Sequence, residues 1–490
     1  MAIYDGPIKN VIVVMFENRS YDNVLGMLYS PGNPAPYDVA PLGQQGLNGL
    51  PPDASNIDPV TGLAVSVWGG PGDSPTIPET DPGEPFYDMA QQIQGAPFQS
   101  GTNPYASSPT APMGGFVANY RAQFVAGQVG NGAGIGNVHS AVRDIMHVYT
   151  PSTMPVTAYL ANNFMVCDSW FASAPTQTFA NRVFAHCANP GGTSSASYLD
   201  DSEYALAMIG GISLDSIFEQ LDNVLQPGSV PNWKVYFHDY SLSMDLVAYV
   251  HAKGKSSTNV NVASYDQSDY PDRGPWPVGA WPSTFLEDIA NGTLPPYSFI
   301  EPRYSNSCNN SQYYAVPGLS PNSNHPGLAN FLLSPLPNNP PISVVNGELF
   351  LLGLYSALRT SKYWESTLLI IVYDEHGGTY DHVYPPNVPV SNVFPAASSD
   401  YGGFAFNIYG PRVPAIVVSP FVQAGTQLVS TASGTFFDHT SIIRTVWEVF
   451  NLDQGTNGKA GINAWDEAAP SILGGCAPSA VNNTPMWPSL

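Results

Sequence analysis

Residues 368–382 read LLIIVYDEHGGTYDH. An aliphatic run unbroken over its first five positions does not suit the one dry face of an open sheet, so it predicts a strand buried on both faces within a parallel sheet. Where that strand should end stand two carboxylates, Asp374 and Glu375, followed by a Gly-Gly turn. In open α/β sheets, sites form in the crevice beyond the carboxyl ends of the strands, which makes this tip a candidate site; the alternative is an exposed turn with solvated acids.

The pattern has a counterpart at the start of the chain. Residues 9–16, KNVIVVMF, predict a first buried strand, and Glu17 and Asn18 follow at once. Carboxylate and amide oxygens side by side are the donors that hard divalent cations prefer. The competing reading has Asn18 or Ser20 capping a helix through Tyr21 to Leu28.

A chain of 490 residues has ample length for a large core, and its 48 Pro and 45 Gly with only 11% charged residues describe a loop-rich globular protein. The net charge of −23 has the wrong sign for a nucleic-acid or polybasic membrane partner and favours neutral, zwitterionic or cationic surfaces, or a cation as cofactor. Cys167, Cys187, Cys308 and Cys476 lack metal-type spacing, which argues against a zinc cluster and leaves up to two disulfides or none. No apolar run approaches the ~20 residues that span a bilayer. The first residues read as a strand rather than as an export signal, so a secreted or periplasmic location requires that a signal was removed, and a cytoplasmic one stays open.

The expected organisation is one α/β domain over residues 1–455, with a doubly wound, mostly parallel sheet, and a tail over 456–490. Two stretches dense in Pro, Gly, Asn and Asp, about 29–125 and 241–345, predict a large irregular cap or lid over a site. Helices are expected over 153–163, from Thr178 onward, over 213–222 behind a Ser213 cap, over 346–360 and, as the last clear one, over 437–450, with strands near 164–168, 233 and 413–418. Thr178 at a helix start is either a cap or a nucleophile; the free amides there and Arg182 would suit an anion. His439, beside Asp438 at the start of the last helix, is the histidine best placed for acid/base or phosphate contact.

Six segments together resemble one family, the phosphoesterases that include nonspecific phospholipases C and certain bacterial acid phosphatases, within the alkaline phosphatase superfamily. They are FENRSYD (16–22), PTQTFANR (175–182), WKVYFHD (233–239), LPPYSFIEPRY (294–304), YDEHGGTYDHV (373–383) and FDHTSIIRTV (437–446), in the family's order. The resemblance implies an alkaline phosphatase-like fold and a divalent cation, Ca, Mg, Mn or Zn, held by Glu17, Asn18, Asp374, Glu375 and Thr178. It further implies Thr178 as the nucleophile and His439 on the phosphoryl or leaving group. The chain departs from the family pattern where plant-type members have DPGH: here Asp81-Pro82-Gly83 is followed by Glu84. The family's His-Pro segment matches either His325-Pro326 or Asn339-Pro340 with the histidine lost. The function implied is phospholipase C-type cleavage of a phosphodiester through a phospho-threonine, on a phosphoester or phospholipid with transient membrane-surface contact. Acid phosphatase action on monoesters, or a non-catalytic binding relative, are the alternatives.

Overall fold

The computed structural model describes residues 3–28, 47–70, 73–107, 111–130, 138–204, 214–225, 230–237, 241–243, 246–247, 262–263, 285–304, 321–327, 342–390, 392–430, 432, 434–454 and 458–482. Both aliphatic runs form the strands expected of them, β1 (Asn10–Phe16) and, later in the chain, Thr367–Tyr373, and every residue of each is buried. A hairpin of β2 (Ser55–Ile57) and β3 (Ala64–Ser66) stands apart from the main sheet. The remaining strands are β4 (Met165–Cys167), β5 (Trp233–Tyr236), β6 (Val262–Ala263), β7 (Tyr297–Ile300), β8 (Thr367–Tyr373), β9 (Ala415–Val418) and β10 (Thr426–Gln427).

Among the described residues the main sheet has eight strands in the order β10-β4-β9-β8-β1-β7-β5-β6. Only β9 runs antiparallel, to β8 and β4, so the sheet is mostly parallel and the α/β class holds. Burial of β1 and β8 at every position requires cover on both faces of the sheet centre, as in doubly wound folds. Register then sets the site. Phe16 pairs with Tyr373 in parallel, so the next residues, Glu17 and Asp374, emerge side by side from adjacent strand tips. Val14 pairs with Ile300, which brings Glu301 to the same edge of the sheet.

The first cap region is more regular than its composition suggests. It contains helices Phe86–Gln94 and Phe116–Gly130 as well as the hairpin, and these share a core of their own that includes Leu50, Val65, Met89, Ile93 and Phe116. Proline and glycine there end elements rather than prevent them: Gly95 closes the Phe86–Gln94 helix in the left-handed conformation. Of the second expected cap region, the described strands and full helix are β6, helix Phe285–Asn291 and β7, and β7 is an interior strand of the main sheet, paired with β1 and β5, rather than part of a cap.

Several local expectations shift. The helix expected over 213–222 is Ile217–Val224, and its cap is Ser216, whose hydroxyl accepts from the Glu219 N–H; Ser213 lies outside the described residues. The helix Thr440–Val449 is not the last. Ala464–Ala468 follows it in the expected tail, and Trp465 packs into an aromatic cluster with Phe184, Phe404 and Phe406. Cys167, Cys187 and Cys476 are free thiols, and Cys308 lies outside the described residues. Among the described residues no helix is long and apolar enough to cross a membrane.

Candidate active site

The tips of β1 and β8 deliver Glu17, Asn18, Asp374 and Glu375, none more than 1% exposed. Asn18 adopts φ 59°, a left-handed conformation that asparagine tolerates better than most residues, and its N–H donates to Asp374 Oδ1 at 3.0 Å. The Gly-Gly turn closes against this point. A Cβ on Gly377, itself at φ 61°, would lie 2.0 Å from the Asn18 carbonyl oxygen, so no other residue fits. The Gly377 N–H donates to Glu375 Oε2 at 2.6 Å, while Glu375 Oε1 and Glu17 Oε1 are buried with no hydrogen-bond partner among the described residues. Burial raises Glu17 to about 7 against the pull of His325 and Arg182. Burial, with Glu84 and Asp374 nearby, holds Glu375 well above the usual carboxylate range. Two orphaned oxygens among crowded acids are a donor set that wants a cation.

Thr178 is the first residue of helix Thr178–Cys187, and the cap position belongs to Gln177, which makes no side-chain cap bond. The threonine hydroxyl is therefore not spent on the helix end; Oγ1 points to Asn18 Oδ1 at 3.4 Å. One of the amides expected to meet an anion is taken, since the Phe179 N–H donates to Asp201 Oδ1 at 2.9 Å. One turn on, Arg182 is fully buried, with Nε on Asp374 Oδ2 at 2.9 Å and Nη1 on Glu301 Oε1 at 3.4 Å. Its Nη2 has no hydrogen-bond partner among the described residues.

The two expected histidines differ in situation. His439 is wholly buried, with Nε2 donating to the Asp374 carbonyl at 2.5 Å and Nδ1 accepting from Trp170 Nε1 at 3.4 Å. Burial drops it to about 4, so the ring is neutral and both nitrogens are engaged in holding the backbone of Asp374. The expectation that it touches the phosphoryl group or protonates the leaving group is not met by this geometry. His325 sits at the site, with Nε2 3.1 Å from Asn18 Nδ2 and 3.6 Å from Glu84 Oε1, and Nδ1 on the Pro326 carbonyl at 2.7 Å. Burial opposes its charge, but Glu84, Asp81 and Glu17 outweigh it and raise the ring to about 9. His325 thus lies beside Asn18 and Glu84; Asn339 lies outside the described residues. Glu84 enters the site as well, accepting from Asn18 Nδ2 at 2.8 Å.

A model of the phosphoesterase family matches residues 8–453. The chain belongs to the phosphoesterase family. It is therefore a phosphoric ester hydrolase. Non-specific phospholipase C6 of Arabidopsis thaliana is 29% identical over 453 residues, which cover 92% of this chain and 69% of that protein. Phospholipase C A of Mycobacterium tuberculosis is 27% identical over 326 residues, covering 63% of this chain and 52% of its own length. A solved alkaline phosphatase superfamily member from Vibrio parahaemolyticus is similar at 12% identity, over 66% of this chain and 64% of that one, with a TM-score of 0.33.

In this phosphoesterase, Glu17, Asn18, Thr178, Arg182, His325, Asp374 and Glu375 converge although their numbers span most of the chain. Glu301 was missed as a site residue although it carried the same signal as the others, an acid directly after a buried strand. It also accepts from Ser243 N–H at 3.0 Å and the Tyr304 hydroxyl at 3.1 Å, so it is a fixed anchor for Arg182. Asp201 and Trp170 had no local signal. Asp22, Asp381 and His382 also cluster, but Arg412 lies among them at 3.0 Å from both carboxylates, which makes the group a buried ion-pair brace.

Proposed function

We propose that this phosphoesterase cleaves a phosphodiester in the manner of a phospholipase C, with Thr178 Oγ1 attacking phosphorus. The observation that carries the reading is the Thr178 hydroxyl, unused by the helix end and turned to Asn18 Oδ1 at 3.4 Å within a shell of buried carboxylates. Glu17, Asn18, Asp374, Glu375 and Thr178 would hold a divalent cation, and their all-oxygen chemistry fits Mg, Ca or Mn better than a soft metal. Bound there, such a cation supplies Lewis acidity that lowers the cost of deprotonating the hydroxyl.

The chain's own residues carry the rest. Arg182, held from behind by Asp374 and Glu301, keeps Nη2 for a phosphoryl oxygen. His325, whose side chain is 15% exposed, is placed to pass a proton to the departing alkoxide, because it combines charge with access. His439 positions Asp374 and transfers no proton. The phosphoryl group then held on Thr178, still bearing its second ester substituent, would be released by water as the phosphomonoester.

Turnover of p-nitrophenyl ethyl phosphate, a diester, against p-nitrophenyl phosphate, a monoester, tests the proposal with divalent cations supplied in turn. The diester should be the better substrate, and enzyme acid-quenched during its turnover should carry an ethyl phosphoryl adduct on Thr178. Preference for the monoester would assign acid phosphatase action instead, and no turnover of either would leave a binding relative.

A further inference from the structure

The hairpin of β2 and β3 carries three large aliphatic side chains at its turn that stand in solvent: Ile57 is 54% exposed, Val60 71% and Leu63 58%. Residues 54–70 hold a single charged residue, Asp58. It is fully buried, and Arg121 clamps it with Nε on Oδ1 at 2.9 Å and Nη2 on Oδ2 at 2.6 Å. The tip is thus apolar and stripped of charge on a chain whose net charge is −23. We propose that it is a wedge that enters the interface of a zwitterionic or uncharged lipid surface, an inference that does not rest on the role of Thr178. Anionic lipid would repel so acidic a chain, whereas a neutral interface takes up aliphatic side chains without that cost.

Hydrogen bonding within the turn favours lipid over a protein partner. A segment that enters a water-poor layer must satisfy its own backbone groups. Here the Asp58 N–H donates to the Leu63 carbonyl at 2.9 Å and the Gly62 N–H to the Asp58 carbonyl at 2.8 Å. The Val60 N–H donates to Asp58 Oδ1 at 3.0 Å, the Leu63 N–H to Thr61 Oγ1 at 3.3 Å, and Pro59 has no N–H to satisfy. Both polar side chains of the turn, Asp58 and Thr61, are therefore engaged inside the cap. A protein interface carries about one hydrogen bond per 100–200 Å², and this tip has little left to offer one.

The other face of the hairpin fixes the wedge to the site. Asn56 Nδ2 donates to the Met113 carbonyl at 3.0 Å, and its Oδ1 accepts the Phe116 N–H at 2.9 Å. Phe116 in turn lies 5.3 Å from the Tyr380 ring and 5.9 Å from that of His376. Hairpin, helix Phe116–Gly130 and the turn that closes on Asn18 are thus packed in one piece, so a docked tip carries the strand-tip edge to the lipid with it.

Two measurements on the full chain test the wedge. In flotation with phosphatidylcholine vesicles, in chelator, the protein should partition onto lipid, and Val60→Asp and Leu63→Asp should each weaken that partition by about tenfold. Val429→Asp, at an aliphatic side chain 60% exposed beside the edge strand β10, should leave it unchanged. In kinetics, the two hairpin substitutions should lower cleavage of vesicle lipid by a similar factor while turnover of soluble p-nitrophenyl ethyl phosphate stays at the parent level. No partition of the parent protein, or a loss as large with Val429→Asp, overturns the wedge. Tighter binding when phosphatidylglycerol replaces part of the lipid overturns the choice of a neutral surface. A dimer that Leu63→Asp dissolves, without lipid binding, would make a second copy the occupant and overturn the proposal. Partition that the hairpin substitutions weaken, without turnover of any ester, would uphold the wedge and overturn the hydrolase reading.

Discussion

Thr178 draws its chemical role from what it does not do. A hydroxyl at a helix start is ordinarily used on the helix amides, yet here the cap position falls to Gln177 and Oγ1 faces Asn18. Thr178→Ala should therefore lower kcat by about 10³-fold or more, with Thr178→Ser retaining part of it and the unfolding midpoint of both close to the parent. Glu17 makes the opposite point about charge. Burial places its folded pKa, about 7, above the usual 4.5, so the protonated form is the one the fold prefers. Its contribution to stability is present below pH 4.5 and lost as pH rises through 7. In chelator, Glu17→Gln should be more stable than the parent at pH 8, by on the order of 3 kcal/mol, and the gap should close near pH 4.5. With a saturating divalent cation the order should reverse, because glutamine gives up a charged ligand; denaturant titrations in both conditions read the sign directly.

At the scale of elements, the parallel register of β1 and β8 and the turn after β8 do the positioning. The turn allows no side chain at Gly377, because a Cβ would meet the Asn18 carbonyl oxygen and φ is already in the left-handed region. Gly377→Ala should cost at least about 3 kcal/mol and abolish turnover, whereas Gly353→Ala, where a Cβ meets nothing within 4 Å, should stabilise its helix slightly. The helix Thr440–Val449 contributes through the residue before it. His439→Leu would leave the Asp374 carbonyl and the Trp170 indole N–H buried and unpaired, a loss of about 1–3 kcal/mol. Because this ring sits near 4 and stays neutral, the acid limb of the pH-rate profile should not carry its titration near 6.5.

At the scale of the molecule, the strand tips crowd Glu17, Glu301, Asp374 and Glu375 into one buried edge of a chain already at −23. Arg182 and His325 answer only part of that charge. A divalent cation at the tips should stabilise the whole domain, by about 2.7 kcal/mol at a hundredfold excess over Kd, and chelator should reverse the effect in a thermal melt. The cap region packs onto the same edge, with Phe116 5.9 Å from the His376 ring and Gln92 accepting from His376 Nε2 at 2.8 Å. Loosening the cap therefore bears on the Gly-Gly turn.

The sequence by itself determined the sheet centre and the acids at its tips, because burial on both faces writes a contiguous apolar run and a strand end is a local event. It also determined the motif set that carries the family, and so Thr178, Asn18 and Arg182 as candidates. Only tertiary structure decided which side chains answer them. Glu84 reaches Asn18 across 66 positions, and His325 joins them where the sequence left Asn339-Pro340 as an alternative match. His439 was aimed by Trp170, 269 positions away, at a backbone carbonyl rather than at substrate. A side chain's partner is set by packing between distant segments, and no local periodicity encodes it.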